Sequence, residues 1–217
     1  MPSTRYQKIN AHHYRHIWVV GDIHGEYQLL QSRLHQLSFF PEIDLLISVG
    51  DNIDRGPESL DVLRLLNQPW FTSVKGNHEA MALEAFETGD GNMWLASGGD
   101  WFFDLNDSEQ QEAIDLLLKF HHLPHIIEIT NDNIKYAIAH ADYPGSEYLF
   151  GKEIAESELL WPVDRVQKSL NGELQQINGA DYFIFGHMMF DNIQTFANQI
   201  YIDTGSPKSG RLSFYKI

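Results

Sequence analysis

His16-Ile17-Trp18-Val19-Val20-Gly21-Asp22-Ile23-His24-Gly25 is the stretch on which the fold turns. The run from His16 to Val20 reads as a buried strand that ends at Gly21. Asp22 and His24 then alternate outward from one tight turn, and the glycines at 21 and 25 let the backbone bend sharply. Beyond it, Tyr27, Leu30, Leu34 and Leu37 recur at helical spacing and predict an amphipathic helix over 26–37. The same grammar returns twice. Residues 44–49 (DLLISV) predict a second buried strand, followed by Gly50-Asp51-Asn52-Ile53-Asp54-Arg55-Gly56 and a short helix over 59–66. Residues 71–74 predict a third strand, followed by Gly76-Asn77-His78-Glu79 and a helix through Phe86. Strand, glycine-bounded polar loop and helix, repeated, signal β-α-β units and a largely parallel sheet. Ligands in such sheets bind beyond the carboxyl ends of the strands, where all three loops lie.

The remaining chain is read more coarsely. Residues 88–100 are glycine-rich around Trp94 and predict a loop with a short helical turn. A helix is expected over 108–120, with a capping box in Ser108 and Gln111. Residues 126–129 and 134–139 flank Asn131-Asp132-Asn133 as a hairpin, and His140 ends its second strand. Residues 153–170 are partly helical and interrupted at Pro162. A strand over 182–185 ends at Gly186-His187, and 193–196, 199–202 and 212–215 are expected as a closing antiparallel meander.

With 217 residues, the chain is expected to form one domain, 1–217, whose first 15 residues are a peripheral N-terminal segment. Its formal net charge of -15 argues against a nucleic-acid backbone as partner, because phosphate binding needs a basic surface. The absence of cysteine removes disulfides, thiolate metal ligands and every phosphatase chemistry that runs through a phosphocysteine. The N-terminus has no apolar core like that of a signal peptide, and no apolar run approaches the roughly 18–20 residues of a membrane span, so a cytoplasmic protein without a membrane partner is expected.

The chemistry follows from placement. Asp22, His24, Asp51, Asn77, His140 and His187 all lie at predicted strand ends. Two aspartates, one asparagine and three histidines make a site for two metal ions, with Asp51 the candidate bridge because a carboxylate has two oxygens and a full charge. Oxygen and imidazole donors without sulfur favour manganese, iron or zinc. A two-metal site with a free histidine and an arginine nearby suits phosphoester hydrolysis.

GDIHG at 21–25, GDNIDRG at 50–56, GNHE at 76–79, the histidine at 140 and Gly186-His187 together resemble the PPP-type metallophosphatases, the serine/threonine protein phosphatase family within the calcineurin-like metallophosphoesterases. His140-Ala141-Asp142-Tyr143-Pro144, Gly98-Gly99-Asp100-Trp101 and Tyr201-Ile202-Asp203-Thr204-Gly205 look closest to the small bacterial and lambda-phage branch. The resemblance implies an α/β fold, the metallophosphoesterase sandwich of two mixed β-sheets flanked by helices. It implies that Asp22 and His24 hold one metal, Asn77, His140 and His187 the other, and that Asp51 bridges. It implies two divalent ions, manganese above iron or zinc, and a hydroxide between them that attacks phosphorus directly. His78 would protonate the leaving oxygen, Asp54 would orient His78, and Arg55 would clamp the phosphoryl oxygens. The substrate would be a phosphoprotein or phosphopeptide carrying phosphoserine or phosphothreonine, with phosphotyrosine a further candidate.

Three segments depart from that branch. Trp161-Pro162-Val163-Asp164-Arg165 stands where Trp-x-Arg-x-Arg is usual, which leaves Arg165 as the second phosphate-clamp candidate. Met188 follows Gly186-His187 where threonine is usual, and Ser206-Pro207-Lys208-Ser209-Gly210 replaces Ala-Val-Phe-Gly-Gly. Two other readings compete. Symmetrical dinucleoside-tetraphosphate hydrolases share GDxHG and an Arg-Gly-Pro run, but usually lack the aspartate of Asp-Arg-Gly and carry GNHD, so Asp54 and Glu79 favour the phosphoprotein branch. A catalytically inactive scaffold would have lost a ligand or the acid, and here all are present.

Overall fold

Leu45, Ile47 and Val49 face one side of the second predicted strand and Leu46 the other, and this alternation generates the layers of the molecule. The structure, a computed structural model, describes residues 4–217; Met1–Ser3, part of the expected peripheral segment, lie outside the described residues. In chain order the elements are β1 (Tyr6–Asn10), β2 (His16–Val20), α1 (Tyr27–Gln36), β3 (Asp44–Ser48), α2 (Ser59–Arg64), β4 (Phe71–Ser73), α3 (Asn77–Thr88), α4 (Asn92–Ala96), α5 (Asp107–Leu117), β5 (Ile126–Asn131), β6 (Ile134–Ile138), α6 (Ser157–Leu160), α7 (Asp164–Leu170), β7 (Tyr182–Phe185), β8 (Gln194–Phe196), β9 (Gln199–Tyr201), α8 (Ser206–Ser209) and β10 (Phe214–Lys216).

Two mixed sheets result. One has four strands in the order β10-β2-β3-β4, the other six in the order β1-β5-β6-β7-β9-β8. The pairs β2–β3 and β3–β4 are parallel, as the repeated strand-loop-helix pattern requires. Inner faces meet through Ile17, Val19, Leu45 and Ile47 on one side and Ile127, Ile129, Ile138 and Ile184 on the other. The outer face of the smaller sheet packs Val20, Leu46 and Phe71 on Leu30, Leu34 and Val62 of the first two helices. Ala137, Phe183 and Phe185 cover the outer face of the larger sheet together with Leu159, Leu160 and Val166 of α6 and α7. The architecture is the expected metallophosphoesterase sandwich of two mixed sheets flanked by helices.

Three expectations need correction. Residues 6–10, expected in a peripheral segment, form an edge strand that pairs in parallel with β5. Gln7 and Lys8 are exposed while Tyr6 and Ile9 are only half-buried, so the strand lacks the apolar run that marks a buried one. The closing strands do not form one meander. β8 and β9 pair antiparallel, but β10 leaves that sheet and pairs antiparallel with β2. The capping box of α5 is formed by Asn106 and Glu109 rather than Ser108 and Gln111; the Asn106 side chain accepts from the backbone N–H groups of Ser108 and Glu109.

A buried ionic knot ties the layers together beside the end of β4. Glu156 accepts from Lys75 Nζ at 2.6 Å and lies 3.4 Å from His125 Nε2. Its carboxyl is held down to about 2 by His125, against the cost of burial, with Lys75 assisting. The folded-state value lies below the ordinary 4.5, so the stabilisation is complete above pH 4.5 and is lost as the pH falls through about 2. We therefore expect Glu156→Gln to lower the unfolding free energy by a constant amount near neutrality. The gap to the wild type, followed by urea denaturation, should close as the pH falls below that of an ordinary glutamate.

Candidate active site

The three turns at the carboxyl ends of β2, β3 and β4 project their polar side chains into the opening between the sheets, and His140 and His187 reach it from the ends of β6 and β7. The backbone there is strained. His24, Asp51, Asp54, Arg55 and His187 all adopt positive φ, between 47° and 73°. Five non-glycine residues in the left-handed region within one site is a cost that the surrounding hydrogen bonds must offset. Two glycines are required by closeness. A Cβ on Gly186 would meet Asp22 Oδ1 at 2.1 Å, and one on Gly76 would meet Asp51 Oδ1 at 2.2 Å.

Asp51 sits at the centre. It is 2% exposed. Its carboxylate oxygens lie 3.4 Å from His140 Nε2, 3.8 Å from His24 Nε2 and 3.9 Å from His78 Nε2. Burial pushes its carboxyl up, but the three imidazoles, His140 foremost, outweigh that and hold it well below the usual carboxylate range. One Asp51 oxygen also accepts the backbone N–H of His78 at 3.0 Å.

Two of the three candidate imidazole ligands are anchored to backbone through one nitrogen. His24 Nδ1 donates to the Ile53 carbonyl at 2.9 Å, and His140 Nδ1 donates to the Val49 carbonyl at 2.8 Å. Such second contacts fix the tautomer and leave the other nitrogen free to ligate. His140 Nε2 and His187 Nδ1 then face Asn77 Oδ1 at 2.7 and 3.0 Å. Burial lowers His24 to about 3, and burial together with His140 lowers His187 to about 4, so both present neutral, lone-pair-bearing rings at ordinary pH. Burial, with Asp203 and Asp51 beside it, pushes the Asp22 carboxyl well up. Asp22 also accepts the His187 N–H at 3.1 Å.

This donor set fits divalent metal ions. A cation between the bare nitrogens, the amide oxygen and the carboxylates satisfies all of them and relieves the crowding of Asp22, Asp51 and Asp203. Two trios offer ligand atoms within 4.8 Å of one another: His24, Asp51 and His78, and Asp51, His140 and His187. They share Asp51. Four of the six sequence-predicted ligand candidates fall in these trios, Asn77 faces two of them, and Asp22 joins neither: His78 completes the first trio in its place.

His78 and Arg55 flank this centre. His78 Nδ1 donates to Asp54 Oδ2 at 2.6 Å. Burial lowers the His78 imidazole, but Asp51 and Asp54 outweigh it and raise it above its ordinary value. Arg55 is exposed, and its guanidinium donates to His24 Nε2 at 2.8 Å and to His78 Nε2 at 2.9 Å. Arg165 is not part of the cluster, contrary to expectation. Its guanidinium donates to Asp142 Oδ1 at 2.9 Å and to the carbonyls of Tyr143 and Gly145 at 3.0 and 2.6 Å. Those bonds use it as a buried tie for the loop after β6, so it is not free to clamp a phosphoryl group.

Glu79, wholly buried, accepts from the backbone N–H groups of Asp51 at 3.1 Å, Asn52 at 2.6 Å and Gly76 at 2.9 Å. It clips the second polar loop to the third. Its bond to Gly76 is that of a helix cap, but its reach across to residues 51 and 52 carries no local signal.

A family model described as calcineurin-like phosphoesterase matches residues 15–190. Serine/threonine-protein phosphatase 2 of Escherichia coli (strain K12) is 99% identical over 217 residues, the whole of both chains. The symmetrical bis(5'-nucleosyl)-tetraphosphatase of Erwinia tasmaniensis is 33% identical over 126 residues, 57% of this chain and 43% of that protein. Among solved structures, a protein serine/threonine phosphatase from Saccharomyces cerevisiae superposes with a TM-score of 0.64 at 19% identity, over 93% of this chain and 71% of that one. That last likeness speaks for the fold. The match across most of the length, carried by the motif loops that build the site, makes this chain a member of the calcineurin-like phosphoesterase family.

Proposed function

We propose that this chain is a metal-dependent phosphoprotein phosphatase that hydrolyses phosphoserine and phosphothreonine monoesters, with phosphotyrosine a further substrate. The observation that carries the reading is the convergence of His24, His140 and His187 on Asp51, with the Asp54–His78 pair and Arg55 against it. The near-identical Escherichia coli relative bears the name of such an enzyme. Asp22 and His24 would hold one ion, Asn77, His140 and His187 the other, and Asp51 both. Manganese suits this set of oxygen and imidazole donors, with iron and zinc next. Bound divalent ions supply Lewis acidity at phosphoryl oxygens and lower the pKa of bound water.

The chain's own groups supply the rest. Arg55 presents a planar fork that matches the oxygens of a phosphoryl group. A bound phosphoryl group takes over the guanidinium donors that His24 and His78 accept. His78 Nε2 is then free to carry a proton to the leaving oxygen, while Asp54, accepting from Nδ1, holds the ring in the productive orientation. No phosphoenzyme enters this scheme. The dinucleotide alternative is weaker because both residues that separate the branches are engaged at the site: Asp54 on His78, and Glu79 across two loops. No helix among the described residues is long and apolar enough to cross a membrane. The proposal includes a cytoplasmic setting and no nucleic-acid partner.

Two experiments test this. Manganese-loaded protein is expected to turn over a phosphoserine peptide in preference to diadenosine tetraphosphate; a clear preference for the dinucleotide would reverse the ranking. His78→Asn is expected to retain bound metal by elemental analysis yet lose about 100-fold or more in kcat on a poor leaving group, the range that general acids contribute. Near-normal turnover in that variant would remove His78 from the acid role.

A further inference from the structure

Asp54 is wholly buried, and among the described residues no lysine or arginine side chain pairs with it. Its carboxylate is met instead by two indoles. Trp101 Nε1 donates to Oδ1 at 2.7 Å, and Trp94 Nε1 donates to Oδ1 at 2.9 Å and to Oδ2 at 3.1 Å. With His78 Nδ1 on Oδ2, both oxygens are saturated by donors. From this geometry we propose that Trp94 and Trp101 are positioning residues for the general acid, acting through Asp54. The inference rests on the acid role assigned to His78.

The choice of indole has a chemical reason. A hydroxyl or a water beside Asp54 could donate or accept, and a turn of its proton would let the carboxyl or the imidazole change partners. An indole N–H only donates. Two of them leave Asp54 nothing to do but accept, so His78 Nδ1 must donate and Nε2 is the end presented to the site. The indoles are also large, flat and packed. Trp94 is 3% and Trp101 8% exposed, their rings cross edge to face with centroids 6.3 Å apart, and Phe86 and Phe102 close the cluster. A carboxylate on a left-handed backbone, φ 73°, is thereby held without a mobile partner.

The same segment reaches the phosphate clamp. Both tryptophans lie within residues 92–104, and the carbonyl of Gly98, between them, accepts the backbone N–H of Arg55 at 3.1 Å. A Cβ on Gly98 would come within 2.8 Å of Arg55 N, and one on Gly99 within 2.5 Å of the Trp94 indole nitrogen. The glycine pair is what lets the segment lie flat between the clamp residue and the indole. One excursion, residues 92–104, thus sets the acid and the clamp together.

The test separates this inference from the one beneath it. Turnover of nitrophenyl, phenyl and alkyl phosphates, which need the acid increasingly, is compared in wild type, His78→Asn, Trp94→Phe and Trp101→Phe, with metal content and thermal unfolding measured on each. The tryptophan variants are expected to retain metal and to lose about tenfold more on phenyl than on nitrophenyl phosphate, a graded form of the general-acid effect. Equal losses across the series, or none, would overturn the positioning role. If His78→Asn itself loses equally across the series, the acid assignment fails instead. A second readout needs no tryptophan to be lost in the sample compared: in ¹H–¹⁵N spectra of the five indoles, the Trp94 and Trp101 signals should shift in Asp54→Asn while the others stay. If those two signals remain in place, the indole contacts are refuted.

Discussion

One buried carboxylate organises this molecule. Asp51 stands at the end of β3, at the mouth of the cleft between two sheets, on a left-handed backbone, with three imidazoles within 4 Å of its oxygens. An isolated carboxylate at that depth would be costly. Here the cost is offset from several sides at once. Glu79 secures its backbone N–H, the His78 N–H secures one oxygen, and the three imidazoles arrive from the ends of β2, β4 and β6. Without those strand ends in register the charge has no partners, and without the charge the imidazoles have no reason to converge. The layers of isoleucine, valine and leucine between the sheets provide the rigidity that such convergence needs.

The sequence made the centre legible because its signals are local. Each ligand candidate follows an apolar run and sits beside a glycine, so its place at a strand's carboxyl end could be read from neighbours alone. The alternation of Leu45, Leu46, Ile47 and the Tyr182–Phe185 run likewise placed two strands almost to the residue. What escaped was decided at long range. β10 joins β2 through a pairing of residues nearly the whole chain apart, and nothing near Phe214 says which sheet it will choose. Arg165 looked like a clamp because spacing suggested it, but Asp142 and two carbonyls of the preceding loop claim its guanidinium. Trp94 reads as the centre of a glycine-rich loop and Trp101 as part of a branch motif; only their N–H ends, 40 and 47 residues from Asp54, betray a second duty.

These long-range contacts also show how the fold divides labour. The two sheets carry the metal-ligand candidates on short turns with little freedom. The residue that orients the acid and the clamp candidate, Asp54 and Arg55, sit on the same turn but are steadied from outside by residues 92–104. The loop after β6 is pinned by Arg165, and α6 is pinned by the Glu156 knot. Ordering the rim from separate segments allows it to vary in relatives while the centre keeps its geometry, since function resides in sites built on a shared scaffold.

Side chains from the ends of five strands are expected to form one two-metal centre around Asp51. Anomalous diffraction from crystals of the manganese-loaded protein tests it most directly. Two peaks, about 3.5–4 Å apart as in other two-metal sites, are predicted, both touching Asp51, one flanked by Asp22 and His24 and the other by Asn77, His140 and His187. Peaks elsewhere, or a loaded crystal in which Asp51 touches no ion, would contradict the account.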